Sequence, residues 1–257
     1  MVLMTIHLAC EGVEVRVEPD DGSRITSMRI DGVELLVTAG ESPFDWGLYP
    51  MVPYAGRVRD AILRHGGASH QLPVNAAPHS MHGTAVHRAW EVRSFTGDGV
   101  LLSTDLGPHW PFPGSVDHLV RVTPIGLACE LTVACGTVDM PAQVGWHPWF
   151  RKPCTAAFEA AEMLVRDTHG IVTTDRAPAP SSNLDDCVVG MVAPPRITVD
   201  GITVEIRSDC DHWVIYDMSP VGTCIEPQSG PPNGINDDPF VMSAGATLTR
   251  RMDVVRA

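Results

Sequence analysis

Residues 127–135 read LACELTVAC, and apolar side chains occupy every second position of this stretch. The same alternation recurs in VEVRV at residues 13–17 and in ITVEI at residues 202–206. A period of two places successive side chains on opposite faces of a β-strand, so these stretches predict strands with one buried face. No long window shows the 3.6-residue period of an amphipathic helix. The sequence therefore predicts an all-β protein.

Turn signals separate these apolar runs. In residues 25–37 the pair Asp31-Gly32 divides ITSMRI from VELLV, which predicts a tight hairpin. The TGDG stretch at residues 96–99 repeats the pattern, and residues 247–255 predict a closing strand. The 23 glycines and 22 prolines favour many short strands joined by turns. We expect two packed antiparallel sheets in one domain over residues 1–257, a size that single all-β units reach.

Composition excludes several classes of partner. The formal net charge of −13 repels phosphate backbones and anionic lipids, so we expect neither nucleic acid nor a membrane surface as partner. The one lysine, Lys152, follows Arg151 in a polar run, which argues against Schiff-base chemistry. The seven cysteines never form a C-x-x-C pair, and the N-terminal residues lack the pattern of a signal peptide. We therefore expect a cytoplasmic protein with reduced thiols and no membrane span.

Three ionisable residues lie in unusual surroundings. His147 lies between Trp146 and Pro148, where partial desolvation would lower the imidazole pKa and favour proton exchange near neutral pH. Glu226 is either a solvated loop carboxylate or a base shielded by its apolar neighbours. Arg57 is either a surface charge or an anchor for an oxygen-rich ligand.

Metal and nucleotide chemistry have weaker support. His79, His82 and His87 have zinc-like spacings of three and five, but Pro78 and Gly83 interrupt the segment and no cysteine pair lies nearby. No G-x-S-x-G elbow and no glycine-rich phosphate loop follows a predicted strand. We expect neither a metal nor a cofactor.

Five motifs occur in a recognisable order along the chain. They are PMVPYAGRVRD at residues 50–60, HSMHG at 79–83, GWHPWF at 145–150, LDDC at 184–187 and EPQSGPPNGIN at 226–236. Together they resemble the aldose 1-epimerase (galactose mutarotase-like) family in its shorter bacterial form. The resemblance extends from the first predicted strand to the C-terminus.

The resemblance implies an antiparallel β-supersandwich that interconverts the α and β anomers of a small-molecule sugar without a cofactor. Glu226 matches the family's general base, and His147 matches its general acid. His82 matches a second active-site imidazole. Arg57 and Asp185 match residues that bind sugar hydroxyls, although Asp186 is an alternative to Asp185.

Aromatic residues are expected to cover the C–H face of the sugar. Trp46, Trp146 and Trp149 are the candidates, and each could equally belong to the core. All the matched residues should line one open cleft, bordered by at least one of these tryptophans. Two departures from the family pattern bear on the substrate: Gly56 stands where the family has asparagine, and Asn233 lies in P-P-N-G-I-N where it has P-P-D-A-F-N.

Other functions remain open from the sequence. The same scaffold could bind or sense a carbohydrate without catalysis, although such a protein would need neither Glu226 nor His147. Glycoside hydrolysis would require the carboxyls of Asp185 and Glu226 to lie roughly 5–10 Å apart. A hexose-phosphate epimerase would require a basic pocket, for which only Arg57, Arg59 and Arg64 are available nearby.

Overall fold

Antiparallel strands make up most of the chain, as the alternating sequence predicts. The computed structural model describes residues 4–257. Two short 3₁₀ turns, Arg59–Ala61 and Ala85–His87, and one four-residue helix, α1 (Gly234–Asp237), are the helical segments in that part of the chain. The predicted all-β class is confirmed.

The strands follow one another closely from the first described residues to the C-terminus. In chain order they are β1 (Ile6–Cys10), β2 (Val13–Glu18), β3 (Arg24–Ile30), β4 (Val33–Glu34), β5 (Leu48–Met51), β6 (Arg57–Val58), β7 (Ile62–His65), β8 (Ala68–Gln71), β9 (Ser80–Met81), β10 (Glu91–Phe95), β11 (Gly99–Asp105), β12 (Gly114–Thr123), β13 (Gly126–Cys135), β14 (Met140–Pro141), β15 (Gly145–Arg151), β16 (Cys154–Ala157), β17 (Ala160–Arg166), β18 (Val172–Ala177), β19 (Asp185–Met191), β20 (Arg196–Val199), β21 (Ile202–Ser208), β22 (His212–Tyr216), β23 (Gly222–Gln228), β24 (Val241–Met242) and β25 (Thr247–Arg256).

These strands form two large sheets. The larger has the order β1-β2-β3-β5-β15-β23-β22-β19-β17-β18, with β4 paired to β3. The smaller has the order β10-β11-β12-β13-β25-β21-β20-β16, so the predicted closing strand β25 lies in its centre. Three two-stranded ribbons, β6-β9, β7-β8 and β14-β24, lie outside them. The prediction of packed antiparallel sheets is confirmed.

Local sequence explains several of these pairings. Asp31 and Gly32 have φ values of 51° and 81°, and two consecutive positive φ values match the right-handed twist of a two-residue hairpin. Ile30 accordingly pairs with Val33 across the turn between β3 and β4. The alternating LACELTVAC stretch lies in β13, between β12 and β25.

The apolar core lies between the two sheets. Val15 and Met28 of the larger sheet belong to the same buried cluster as Leu131 and Met252 of the smaller sheet. Trp146 on β15 also faces this core: it is fully buried, and its Nε1 donates a hydrogen bond to His118 Nε2 on β12 at 3.3 Å. The next residue on β15 must therefore face the opposite side of the larger sheet.

No helix in residues 4–257 is long and apolar enough to cross a bilayer. All seven cysteines carry free thiols.

Candidate active site

Three neighbouring strands of the larger sheet bring His147 and Glu226 together on the face away from the core. His147 on β15 pairs in register with Tyr49 on β5. On its other side, the pairs Gly145–Gln228 and Trp149–Cys224 bracket His147 and place it level with Glu226 on β23. His147 Nε2 lies 3.2 Å from Glu226 Oε1. Register partners share a face of a sheet, so the pairing itself creates this contact.

A second row of cross-strand partners lies beside the first. Trp149 on β15 pairs with Cys224 on β23, which pairs with Tyr216 on β22, which in turn pairs with Asp185 on β19. Four residues from distant parts of the sequence therefore stand side by side. Pairing between neighbouring strands of the sheet, and not a single loop, brings them together.

A cavity of about 200 Å³ opens above these rows, and we refer to it as the cleft. Six residues singled out from the sequence line it: Arg57, His82, His147, Trp149, Asp185 and Glu226. Phe44, Tyr216 and Gln228 also contribute to the lining. The structure therefore brings together residues that span most of the chain.

Trp46 lies outside the cleft lining. Its ring lies against the buried Arg24, whose guanidinium carbon is 4.5 Å from the ring centroid. The Trp46 carbonyl also accepts a hydrogen bond of 2.8 Å from Arg24 Nη1. Of the three candidate tryptophans, Trp149 borders the cleft, Trp46 packs on an arginine and Trp146 lies in the core.

Burial dominates the electrostatics of the central pair. Glu226 and His147 are 2% and 6% exposed. Burial raises the pKa of Glu226 well above its usual value, and the negative charge of Asp185 adds to this effect. A hydrogen bond of 3.1 Å from Gln228 Nε2 to Glu226 Oε2 acts in the opposite direction.

Burial also lowers the pKa of His147 well below its usual value, and His82 adds to the effect. The two shifts favour uncharged forms of both groups. In those forms Glu226 carries a proton and His147 does not, and transfer of that proton from Oε1 to Nε2 would convert the neutral pair into a carboxylate and an imidazolium.

Aromatic rings fix the orientation of the His147 imidazole. Tyr49 stacks on it with 4.8 Å between ring centroids, and Trp149 is nearly parallel at 5.6 Å. His82 meets it edge-on at 5.0 Å. Packing on several sides leaves the ring little rotational freedom, so Nε2 stays directed at Glu226.

The requirement for glycine after His82 in the second motif has a steric reason. His82 has a φ of 60° and Gly83 a φ of 86°. A Cβ at Gly83 would lie only 1.9 Å from the carbonyl oxygen of Val52, so glycine alone fits there. Burial, helped by the charge of Arg57, lowers the pKa of His82 to about 3, and its imidazole is therefore neutral at neutral pH.

The two departures from the family pattern meet beside Arg57. Gly56 has a φ of 66°, and a Cβ there would lie 3.0 Å from Pro232. Glycine and asparagine are residues that tolerate this left-handed region. Asn233 NH donates a hydrogen bond of 2.7 Å to the Arg57 carbonyl, and its Oδ1 accepts one of 2.9 Å from Arg59 NH. The loop after Glu226 thus supports the segment that carries Arg57.

The two aspartates of the fourth motif, Asp185 and Asp186, differ in their position relative to the cleft. Arg166 bridges them, with Nη1 2.6 Å from Asp185 Oδ2 and Nε 2.9 Å from Asp186 Oδ1. Asp185 lines the cleft, whereas Asp186 is outside the lining. The structure therefore favours Asp185 as the residue that faces a ligand.

Several cleft residues carry no local sequence signal. Tyr49 and Tyr216 reach the site through strand register alone, which single-sequence patterns do not reveal. Gln228 could have been found, because it lies two positions after Glu226 on the same strand and must share its face. Cys224, which is outside the cleft lining, lies two positions before Glu226 and shares its face of the sheet.

The histidines with zinc-like spacing do not converge on one point. His79 Nδ1 accepts a hydrogen bond from Asp60 NH at 3.0 Å, whereas the rings of His82 and His87 pack against Phe44. Within residues 4–257, the one set of three metal-ligand side chains with converging donor atoms is His147, Cys224 and Glu226.

Comparisons with known proteins agree with the fold. The sequence model of the aldose 1-epimerase family matches residues 11–248. The uncharacterized protein YihR of Escherichia coli K12 is 23% identical over 217 residues, which cover 72% of this chain and 70% of YihR.

Solved structures give the same result. A putative aldose 1-epimerase from Escherichia coli K12 superposes with a TM-score of 0.86 at 19% identity, covering 100% of this chain and 99% of the other. The GalM/aldose epimerase homologue of Caenorhabditis elegans also gives 0.86, at 16% identity and with the same coverage. Galactose 1-epimerase of Lactobacillus acidophilus gives 0.82 at 17% identity, over 99% and 94% of the two chains. At these identities the superpositions establish the fold.

Proposed function

The chain belongs to the aldose 1-epimerase family, and we propose that it interconverts the α and β anomers of a free aldose with Glu226 as general base and His147 as general acid. One observation carries the proposal: Glu226 Oε1 and His147 Nε2 lie 3.2 Å apart at the base of a narrow cleft. General acid–base catalysis requires each group to come within hydrogen-bond reach of its own target.

Anomer exchange begins with opening of the hemiacetal. Glu226 takes the proton from the anomeric hydroxyl, the C1–O5 bond breaks, and His147 protonates the ring oxygen O5. The two oxygens are bonded to the same carbon, so the base and the acid must also lie close together. Rotation about C1–C2 then presents the other face of the aldehyde, and each group reverses its role on ring closure.

Burial favours the uncharged forms of both groups. In those forms one proton serves both roles, because its transfer from Glu226 to His147 leaves a carboxylate that can act as base and an imidazolium that can act as acid. Water exclusion strengthens the interactions of both charged groups with the sugar oxygens. The chemistry needs no cofactor.

The remaining cleft residues bind and orient the sugar. Arg57 forms no ion pair with another residue of the described chain, so its guanidinium is available to sugar oxygens. Asp185 is held by Arg166 and accepts hydrogen bonds from hydroxyl groups. His82 contributes a neutral imidazole, and Trp149 covers part of the C–H face.

Size and charge favour a single neutral sugar ring. The cleft volume of about 200 Å³ is below the roughly 300–1,000 Å³ of typical sites for drug-sized ligands. Arg57 is the one arginine in the described lining, and a single arginine would bind a phosphate group only weakly. Asp185 is engaged by Arg166, so a role in binding suits it better than the proton transfer that a hydrolase would require. The free thiols agree with a cytoplasmic location.

Polarimetry tests the proposal directly. Freshly dissolved α-glucose, α-galactose and other aldoses are followed with and without the protein. At least one should reach its equilibrium rotation faster with the protein, and Glu226→Gln should abolish the acceleration. Sugar binding by calorimetry with no acceleration of any aldose would instead identify a carbohydrate-binding protein.

A further inference from the structure

Cys224 stands next to the proton-transfer pair but takes no part in the proposed reaction. It lies two positions before Glu226 on β23, pairs in register with Trp149, and is fully buried. One donor atom from each of His147, Cys224 and Glu226 lies within 4.8 Å of the other two. The cleft gives access to the histidine and glutamate atoms from solvent.

The separation of the imidazole and carboxylate donor atoms suits a tetrahedral metal ion. Zinc binds imidazole nitrogen and carboxylate oxygen at about 2.0–2.2 Å, so two such ligands at a tetrahedral ion lie roughly 3.3 Å apart. The separation of His147 Nε2 and Glu226 Oε1 is 3.2 Å, close to this value. A sulfur ligand at about 2.3 Å would complete three protein ligands, and a tetrahedral ion would keep a fourth position for water or another ligand.

The charges of these three groups are complementary to a divalent cation. A cation of charge +2 balances one thiolate and one carboxylate, while a neutral imidazole adds no charge. With its ligands in these forms, the bound centre would be electrically neutral.

We propose that His147, Cys224 and Glu226 form an inhibitory binding site for a thiophilic divalent cation such as Zn²⁺ or Cd²⁺. Sulfur and nitrogen ligands select such ions over Mg²⁺ or Ca²⁺. An ion bound there occupies both the carboxylate and the imidazole, so neither can exchange a proton with a sugar. The inhibitory consequence rests on the proposed function, whereas the binding site itself does not.

Cadmium titration in thiol-free buffer tests the site. A cadmium–thiolate bond produces a charge-transfer band in the ultraviolet, so binding is read without any activity measurement. We expect the band to saturate at one equivalent of Cd²⁺ per chain. Cys224→Ser should lose it, whereas Cys210→Ser, which changes another buried thiol in the connection between β21 and β22, should keep it.

Inhibition provides a second readout. Cys224→Ser should retain the basal mutarotation rate, because the thiol is outside the cleft lining. Its inhibition by Cd²⁺ should be weakened by at least the roughly 10- to 100-fold seen when even a supporting residue of a metal site is lost. Cys210→Ser should be inhibited like the unmodified protein.

The possible failures are distinguishable. Absence of a thiolate band in the unmodified protein, or an unchanged band in Cys224→Ser, overturns the metal site whatever the activity. If Cys224→Ser does not fold, Glu226→Gln replaces it, and this variant must bind Cd²⁺ more weakly by absorbance. A stoichiometric band in a protein without mutarotase activity supports the metal site and refutes the proposed function.

Discussion

His147 Nε2 and Glu226 Oε1 lie 3.2 Å apart because they stand opposite each other on neighbouring strands β15 and β23. Both side chains belong to regular strands at the centre of the larger sheet, and neither is on a mobile loop. Sites built on strands hold their geometry more tightly than sites on loops. The pair that we propose to transfer protons is therefore pre-organised in the absence of a ligand.

Neutral replacement of either member of the pair should remove catalysis without unfolding the protein. We expect Glu226→Gln and His147→Asn to lower the mutarotation rate by about 10²- to 10⁴-fold, the usual contribution of a general acid or base. Polarimetry measures the rate, and circular dichroism verifies the fold. Glu14→Gln, on the exposed face of β2, serves as the control and should keep full activity. A nearly normal rate in Glu226→Gln would exclude Glu226 as the base.

The same substitution should stabilise the protein in a pH-dependent way. Burial raises the pKa of Glu226 in the folded state above the ordinary value of about 4.3. Its contribution to stability is therefore fully present below about pH 4.3 and is lost as the pH rises through the folded-state pKa. Glutamine never ionises, so it does not incur this loss.

We thus expect the melting temperature of Glu226→Gln to match that of the unmodified protein in acid and to exceed it increasingly as the pH rises. Thermal unfolding followed by circular dichroism from pH 4 to pH 9 measures the difference, with Glu14→Gln again as control. A variant that is less stable than the unmodified protein at high pH contradicts the predicted direction.

The fold could be predicted from local sequence because its signals are local. The Asp31-Gly32 turn and the alternation in β13 each depend on neighbouring residues only. Strand register is different, because it joins residues far apart in sequence. The positions of Tyr49 and Tyr216 in the site follow from register and had no counterpart in the linear pattern.

The tryptophans also show that local sequence predicts positions on one strand but not contacts between distant segments. Trp149 shares a strand and a face with His147, so its position beside the cleft follows from a period of two. Trp46 precedes β5 and packs on Arg24, a contact that nothing near it in the sequence indicates. Choosing Asp185 over Asp186 required the orientation of β19 relative to its neighbours.

Metal removal should leave the reaction intact. The proposed proton transfers use only Glu226 and His147, so we expect EDTA treatment not to reduce the mutarotation rate. Elemental analysis before and after treatment, combined with polarimetry, measures this. Loss of activity that parallels loss of a bound metal, with recovery when the metal is restored, would overturn the cofactor-independent mechanism.

The two tryptophans of β15 should affect different properties. Trp149→Phe weakens the wall of the cleft and removes a hydrogen bond of 2.8 Å to the Phe44 carbonyl. We expect its KM to rise roughly 2- to 10-fold, equivalent to about 0.5–1.5 kcal/mol of aromatic contact. Trp146→Phe removes core volume and the hydrogen bond to His118, and should cost about 1–3 kcal/mol of stability with little change in KM. Polarimetric KM values and urea unfolding of both variants measure the two effects.

Gly83 should be required for the position of His82, and Gly32 offers a matched control. The two glycines have nearly equal φ values, 86° and 81°, so alanine meets the same backbone strain at both. They differ in space: a Cβ at Gly32 meets no atom within 4 Å, whereas one at Gly83 would lie 1.9 Å from the Val52 carbonyl oxygen. We expect Gly32→Ala to lower the free energy of unfolding by about 1 kcal/mol and to leave the mutarotation rate unchanged.

Gly83→Ala must displace backbone, so it should lower the free energy of unfolding, measured in urea, clearly more than Gly32→Ala does. It should also lower kcat/KM, because the His82 ring moves away from His147. Equal losses of stability in the two variants, with normal kcat/KM for Gly83→Ala, would show that the close approach of Gly83 to Val52 does not position the histidine.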